Sequence, residues 1–182
     1  IASSSTSPNV TISNNLVANL TTTGISTGNL MVGVLASGGN NTIIGNTIRN
    51  FTSSSIATGA GGTPSFGGII LTSSLAGQTI SQNTIHTANN SAATANVTLT
   101  GIYCSNGSNS AATNIIERNF VHSLATTSTG AAILNGIYTF NGGATYRNNM
   151  IRLGINSAGT DLTSAALIIN GLQSDTLTSA TN

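Results

Sequence analysis

Four side chains that carry or can take up a positive charge, Arg49, His86, His122 and Arg152, each stand three residues after an asparagine, at Asn46, Asn83, Asn119 and Asn149. An earlier asparagine with the same flanks, Asn15, has Ala18 in that place. If the fold brings these positions into line, they form a cationic column able to grip an anionic polysaccharide or a neighbouring filament, with imidazoles that charge below about pH 6.5. A solvated edge, whose Arg and His keep strands from pairing sideways, accounts for the same residues without any ligand. Metal binding by the two histidines has little support, because no carboxylate or cysteine stands at matching spacing.

Other chemistry is sparse. Glu117, Asp161 and Asp175 are the only acids, and no two recur at one position of the repeat, so neither paired carboxylates for glycoside hydrolysis nor a calcium cluster can be assembled. The chain is therefore expected not to be an enzyme and to use no cofactor. Cys104, the single cysteine, cannot form an internal disulfide and is expected to be a small buried side chain. Tyr103 and Tyr138 each follow a glycine by two residues, which makes them a candidate aromatic platform for sugar rings or, more simply, a stacked cross-strand pair.

What would position these groups is an internal repeat. The stretches ISNNLVA, IIGNTIR, ISQNTIH, IIERNFVH and YRNNMIR align on Asn15, Asn46, Asn83, Asn119 and Asn149 at steps of 31, 37, 36 and 30 residues. Three residues before each stands Ile12, Ile43, Ile80, Ile116 or Tyr146, and two after stands Val17, Ile48, Ile85, Val121 or Ile151. A second landmark alternates with the first: Gly33, Gly68, Gly101, Gly136 and Gly171, each followed by an aliphatic residue, spaced 35, 33, 35 and 35. These short runs, rich in β-branched and aromatic residues and bounded by Gly, Ser and Asn, read as strands, and no helical spacing is sustained. Glycine before each strand is expected to supply a positive-φ corner. The five asparagines are expected to form a structural ladder, passing amide hydrogen bonds from coil to coil at one corner, with the following aliphatics stacked inside.

The NTIRN, NTIHT and NFVHS cores and the GIY strands together resemble the right-handed parallel β-helix repeats of secreted bacterial proteins. More closely, the alternation of GNTIRN, NFVHSL and NNMIRLGI with NGIY resembles the long Ser/Thr/Asn-rich repeat proteins that Bacteroidetes export to their surface. The resemblance implies an all-β, single-stranded right-handed parallel β-helix, a β-solenoid of about five coils of roughly 35 residues, with its handedness resting on the resemblance alone. Asp175, Thr176 and Leu177 resemble the short Asp-Thr-aliphatic site of O-glycan attachment in the same bacteria, making Thr176 a candidate glycosylation site.

Composition agrees with an exported structural chain. Thr, Ser and Asn supply 77 of 182 residues while seven carry formal charge, far from ordinary cytoplasmic usage. Regular Ile, Val and Leu positions argue against disorder, which is expected, if anywhere, at TSSSIATGAGGTPS, residues 52–65. A net charge of +1 with no lysine excludes a general nucleic-acid footprint, and no apolar run is long enough to insert into a membrane. Residues 1–182 are expected to form one continuous solenoid block, a fragment or repeat unit of a larger protein. Its expected function is a structural block of an extracellular bacterial surface fibre or stalk, assembling with copies of itself, end to end or laterally, or with adjacent repeats. The alternative is a carbohydrate-binding cell-surface adhesin with surface glycans as partners. Ice binding would need a regular Thr array, and Thr98 to Thr100 has no counterpart in neighbouring repeats.

Overall fold

The computed structural model describes residues 1–4, 9–59, 62–75, 77–105, 113–141 and 143–175. Each repeat folds into three short strands. The first coil holds β1 (Ala2–Ser3), β2 (Asn9–Ser13) and β3 (Leu16–Thr22), and the second β4 (Met31–Ala36), β5 (Asn40–Ile44) and β6 (Thr47–Ser53). The third holds β7 (Phe66–Leu71), β8 (Thr79–Ser81) and β9 (Thr84–Asn90), and the fourth β10 (Thr98–Ser105), β11 (Thr113–Glu117) and β12 (Phe120–Thr126). The fifth holds β13 (Ile133–Phe140), β14 (Gly143–Arg147) and β15 (Met150–Arg152), after which β16 (Ile168–Asp175) returns to the first sheet. Every third strand pairs in parallel, so three sheets run the length of the molecule: β1-β4-β7-β10-β13-β16, β2-β5-β8-β11-β14 and β3-β6-β9-β12-β15. This is a parallel β-solenoid of about five turns, and no helix occurs among the described residues.

Because the repeats stack in register, equivalent residues become columns. Ile12, Ile43, Ile80 and Ile116 align in the second sheet, Ile48, Ile85 and Val121 in the third, and Val34, Ile69, Ile102 and Ile137 in the first. All belong to one interior cluster and almost all are fully buried. Burying a Val or Ile side chain contributes about 1.5–3 kcal/mol each, so these columns are the main cohesive element of a chain with so few charges.

The corner between the second and third sheets is made by the residue before each repeat asparagine. Asn14, Gly45, Gln82, Arg118 and Asn148 all have φ between 53° and 69°. Asn and Gly adopt this left-handed conformation readily; Gln82 and Arg118 do so at a cost of about 1–2 kcal/mol each.

The expectation that the glycine column forms positive-φ corners is overturned. None of Gly33, Gly68, Gly101, Gly136 and Gly171 has positive φ, and all five lie within first-sheet strands. Their role is packing. Met31, Phe66, Leu99 and Leu134 face the interior, and so do the residues three further on, Val34, Ile69, Ile102 and Ile137. Strict alternation would put those two sets on opposite faces. The alternation therefore breaks between them, where glycine stands. A Cβ on Gly33 would lie 2.6 Å from Ile48 Cγ2 and 2.7 Å from the Gly68 carbonyl oxygen. At Gly136 it would lie 2.5 Å from Ile151 Cγ2. The two sequence landmarks are thus mated across the interior: the glycine column is the slot into which the aliphatic column two residues after each asparagine fits.

Of the described residues in the stretch 52–65, some pack into the coil and others, Thr52, Thr58 and Thr63, are exposed. Ser55, Ala57 and Ser65 are buried, Thr58 bridges Pro64, and the Ser65 hydroxyl donates to the Thr98 carbonyl at 2.7 Å.

Candidate functional site

The asparagine column is built by one bonding pattern repeated at four steps. The backbone N–H and Nδ2 of Asn15 both donate to Asn46 Oδ1, at 3.0 Å each. Asn46 does the same to Asn83, Asn83 to Asn119, and Asn119 to Asn149. Each Nδ2 after the first also reaches back to an isoleucine carbonyl of the preceding coil: Asn46 to Ile12, Asn83 to Ile43, Asn119 to Ile80 and Asn149 to Ile116. The ladder is buried at Asn46, Asn83 and Asn119 and satisfies corner backbone groups that would otherwise be unpaired away from water.

A second amide ladder, not anticipated from the sequence, lies inside the second sheet. The Asn41 backbone N–H and Nδ2 donate to Gln78 Oε1, and the Gln78 N–H donates to Asn114 Oδ1. Val10 and Ala144 occupy the same column in the first and fifth coils, so this ladder is three residues long, and Asn41 Oδ1 is left buried without a partner. The mixture of Asn and Gln in three coils, with apolar residues in the other two, hides it from a search for repeated letters.

Ala18, Arg49, His86, His122 and Arg152 stand in register on β3, β6, β9, β12 and β15. The imidazoles of His86 and His122 stack with centroids 4.8 Å apart and planes 5° from parallel. Phe120 packs on His122 at 4.3 Å. Rings this nearly parallel aim their in-plane lone pairs side by side rather than at one point, which does not suit two ligands of a single tetrahedral ion. Among the described residues no group of three or more metal-ligating side chains occurs. Burial, and then the charge of Arg49, lowers the pKa of His86; burial, then His86 and Arg152, lowers that of His122.

Each ring is anchored by the residue that follows it. His86 Nδ1 is 2.9 Å from Thr87 Oγ1 and His122 Nδ1 is 2.9 Å from Ser123 Oγ. Arg152 Nη2 donates to the same Ser123 hydroxyl at 3.4 Å. A depression of about 350 Å³ beside the column is lined by Thr87, Asn89, Ser123, Asn156 and Ser157.

Tyr103 and Tyr138 are brought together in register with ring centroids 5.4 Å apart, edge to face. They do not form a sugar platform. Each is only 6% exposed, packed with Ile70 and flanked by Val32, Leu35 and Phe140 on the outer face of the first sheet, so neither ring face is open for stacking. The Tyr138 hydroxyl donates to Asp175 Oδ2 at 2.9 Å, and burial followed by this carboxylate pushes its pKa up to about 12. Glu117 accepts from Arg147 Nε at 2.6 Å on adjacent coils, an exposed pair worth little to stability. Thr176 lies outside the described residues.

Cys104 is buried, its Sγ accepting from Asn114 Nδ2 at 3.2 Å, and burial pushes the thiol up to about 12. The native protein is therefore expected to react with a thiol reagent at pH 8 on the order of a thousandfold more slowly than the denatured chain. Labelling time courses with and without denaturant check this; comparable rates would mean that the coil around Cys104 opens readily.

No protein-family model, curated protein or solved structure matches the chain, so its function must be read from this geometry.

Proposed function

We propose that the protein is a structural block of an extracellular bacterial surface fibre or stalk, built by end-to-end stacking of β-coils. The observation that carries this reading is the uniformity of the asparagine ladder: all four steps use the same two donors and the same acceptor. Nothing in that pattern counts coils, so the bonds that join coils within the chain would equally join it to another copy. A head-to-tail interaction whose units stack along one axis, and so cannot close into a ring, propagates as an open filament.

The exposed end of the stack supports the same reading. Ile169 and Leu172 continue columns whose members one coil earlier, Leu134 and Ile137, are fully buried, yet they are 45% and 49% exposed. Another coil laid on β16 would bury them as each coil buries the last.

Electron microscopy tests the proposal. Ordered fibres with strands stacked at about 4.8 Å along the axis are expected. Because the stacking uses apolar columns and neutral amides, assembly should sediment equally at about 0.05 M and about 1 M salt. Isolated short rods at every concentration would overturn it.

The second reading, a carbohydrate-binding adhesin, no longer draws on the tyrosines. It is favoured by the in-register Arg and His column alone.

A further inference from the structure

We propose that the column Arg49, His86, His122 and Arg152 is a pH-gated binding site for a linear acidic polysaccharide, in which Thr87 and Ser123 are positioning residues that hold the two imidazoles ready for an anion. This deepens the carbohydrate-binding reading, on which it rests, and does not depend on fibre assembly.

The argument begins with backbone conformation. Leu153, after Arg152, is not left-handed, but the other four of the five in-register positions, Ala18, Arg49, His86 and His122, are followed by a left-handed residue: Asn19 at 61°, Asn50 at 59°, Thr87 at 55° and Ser123 at 54°. Asparagine is at ease there, and Asn50 Nδ2 also donates to Asn19 Oδ1 at 3.0 Å, beginning a ladder of its own. Continuing that ladder with asparagine would be the low-strain choice at 87 and 123. Instead the chain places Thr, a β-branched residue for which positive φ is an outlier, and Ser. Among these four left-handed positions, the exchange occurs only where the preceding residue is histidine. What it gains is a hydroxyl 2.9 Å from each Nδ1. A hydroxyl can donate to a neutral imidazole and accept from a charged one, so it holds the ring in both protonation states. Nε2 of neither ring has a hydrogen-bond partner among the described residues.

The charge arrangement then selects the ligand. Four groups in a column on strands about 4.8 Å apart span about 14 Å, which suits a chain bearing carboxylate or sulfate groups at sugar spacing. The parallel column of Leu16, Thr47, Thr84, Phe120 and Met150 flanks it with two hydroxyls and apolar surface for the sugar rings.

Among the described residues no internal counter-charge occupies the site. Of the groups on elements around β9 and β12, Glu117 on β11 is held by Arg147, Asp161 lies in the segment after β15 bridged to Ile155, and Cys104 on β10 faces the core. No carboxylate contributes to the shift of either histidine; burial and neighbouring positive charge set both below the ordinary value of 6.5. Near neutral pH the empty column therefore carries two arginine charges. As the pH falls the histidines add up to two more, and a polyanion across the column favours that protonation.

The test is calorimetric titration of the full chain with polygalacturonate, heparin and neutral dextran at about pH 5 and about pH 8 and constant ionic strength. Expected is binding of one or both acidic polymers, not dextran, at least about tenfold tighter at the lower pH, as one proton taken up per pH unit would give. The double variant H86Q/H122Q should bind equally at both pH values, and R49Q/R152Q should bind more weakly at both. T87N/S123N should fold with a melting temperature roughly 2–4 °C higher yet lose most of the low-pH gain. Equal affinity of the wild type at both pH values, or an undiminished low-pH gain in either H86Q/H122Q or T87N/S123N, overturns the gate while leaving carbohydrate binding standing. No binding to either acidic polymer at either pH overturns both.

Discussion

Gly101→Ala is expected to destabilise the solenoid by about 3 kcal/mol or more, lowering the melting temperature by roughly 6–12 °C. On an ordinary strand the same change would stabilise by roughly 0.5–1 kcal/mol, because alanine loses less backbone entropy on folding. Sterics reverse the sign here. A Cβ at position 101 would sit 2.5 Å from Val121 Cγ1 and 2.6 Å from the Gly136 carbonyl oxygen. The first clash could be relieved by trimming the side chain, but the second is with backbone fixed by the parallel ladder between β10 and β13. The double variant Gly101→Ala, Val121→Ala should therefore remain as unstable as the single one, or more so, since it adds a cavity. Gly171→Ala is the internal control: it occupies the same column, but nothing lies within 4 Å of the added Cβ, and no loss is expected. Thermal melts of the three variants decide the matter. A tolerated Gly101→Ala would mean that the first and third sheets can move apart, contrary to the mating of the two columns.

That mating shows where reading the sequence stops. The two landmarks and their common period are visible in the letters, and a shared period is enough to put equivalent residues in register in a parallel stack. The register of the column from Ala18 to Arg152 and of the asparagine ladder is therefore legible in the sequence. Contacts between columns are a different matter, because they depend on how each strand bends and how each corner turns. Glycine at 33, 68, 101 and 136 reads equally well as a corner or as a slot, and only the break in alternation between Met31 and Val34 tells which. The shielding of Tyr103 and Tyr138 was hidden for the same reason: a position on the outer face says nothing of what lies over it. The segment around Gly62 to Ser65 passes close by, with Gly62 about 4.0 Å from Tyr103 Cε1 once a Cβ is added. Thr87 and Ser123 do not stand out in the sequence, because their significance is conformational. In the letters they are two of many hydroxyl residues, and only a left-handed φ next to an imidazole sets them apart. The second amide ladder escaped because Asn41, Gln78 and Asn114 are chemically equivalent but not identical.

Asn83→Asp is expected to be as damaging as the glycine change, by a different mechanism that leaves a signature in pH. Asn83 is fully buried at the centre of the ladder. Its Oδ1 accepts from the Asn46 backbone N–H and Nδ2, contacts a carboxylate could keep. Its Nδ2 donates to the Ile43 and Ser81 carbonyls and to Asn119 Oδ1 at 2.9–3.0 Å, and there a carboxylate would present oxygen to three oxygens. An unsatisfied buried group costs about 1–3 kcal/mol and a charged one more, so a loss of about 3 kcal/mol or more at neutral pH follows. The charged form is the one penalised, so the folded pKa of the new carboxyl lies above its unfolded value of about 3.9. With a raised folded pKa, the ionisation part of the penalty is absent below the unfolded value, where the protonated acid can still donate once, grows as the pH rises from the unfolded to the folded value and is full above it. The gap in denaturation midpoint between wild type and Asn83→Asp should therefore begin to widen at about pH 4 and level off above the folded value. Asn15→Asp, at the partly exposed start of the same ladder, should show a much smaller gap with little pH dependence. A gap at position 83 that stayed constant with pH would mean that water reaches this corner and solvates the carboxylate. The asparagine column would then be a surface decoration rather than the bonded seam that joins one coil to the next.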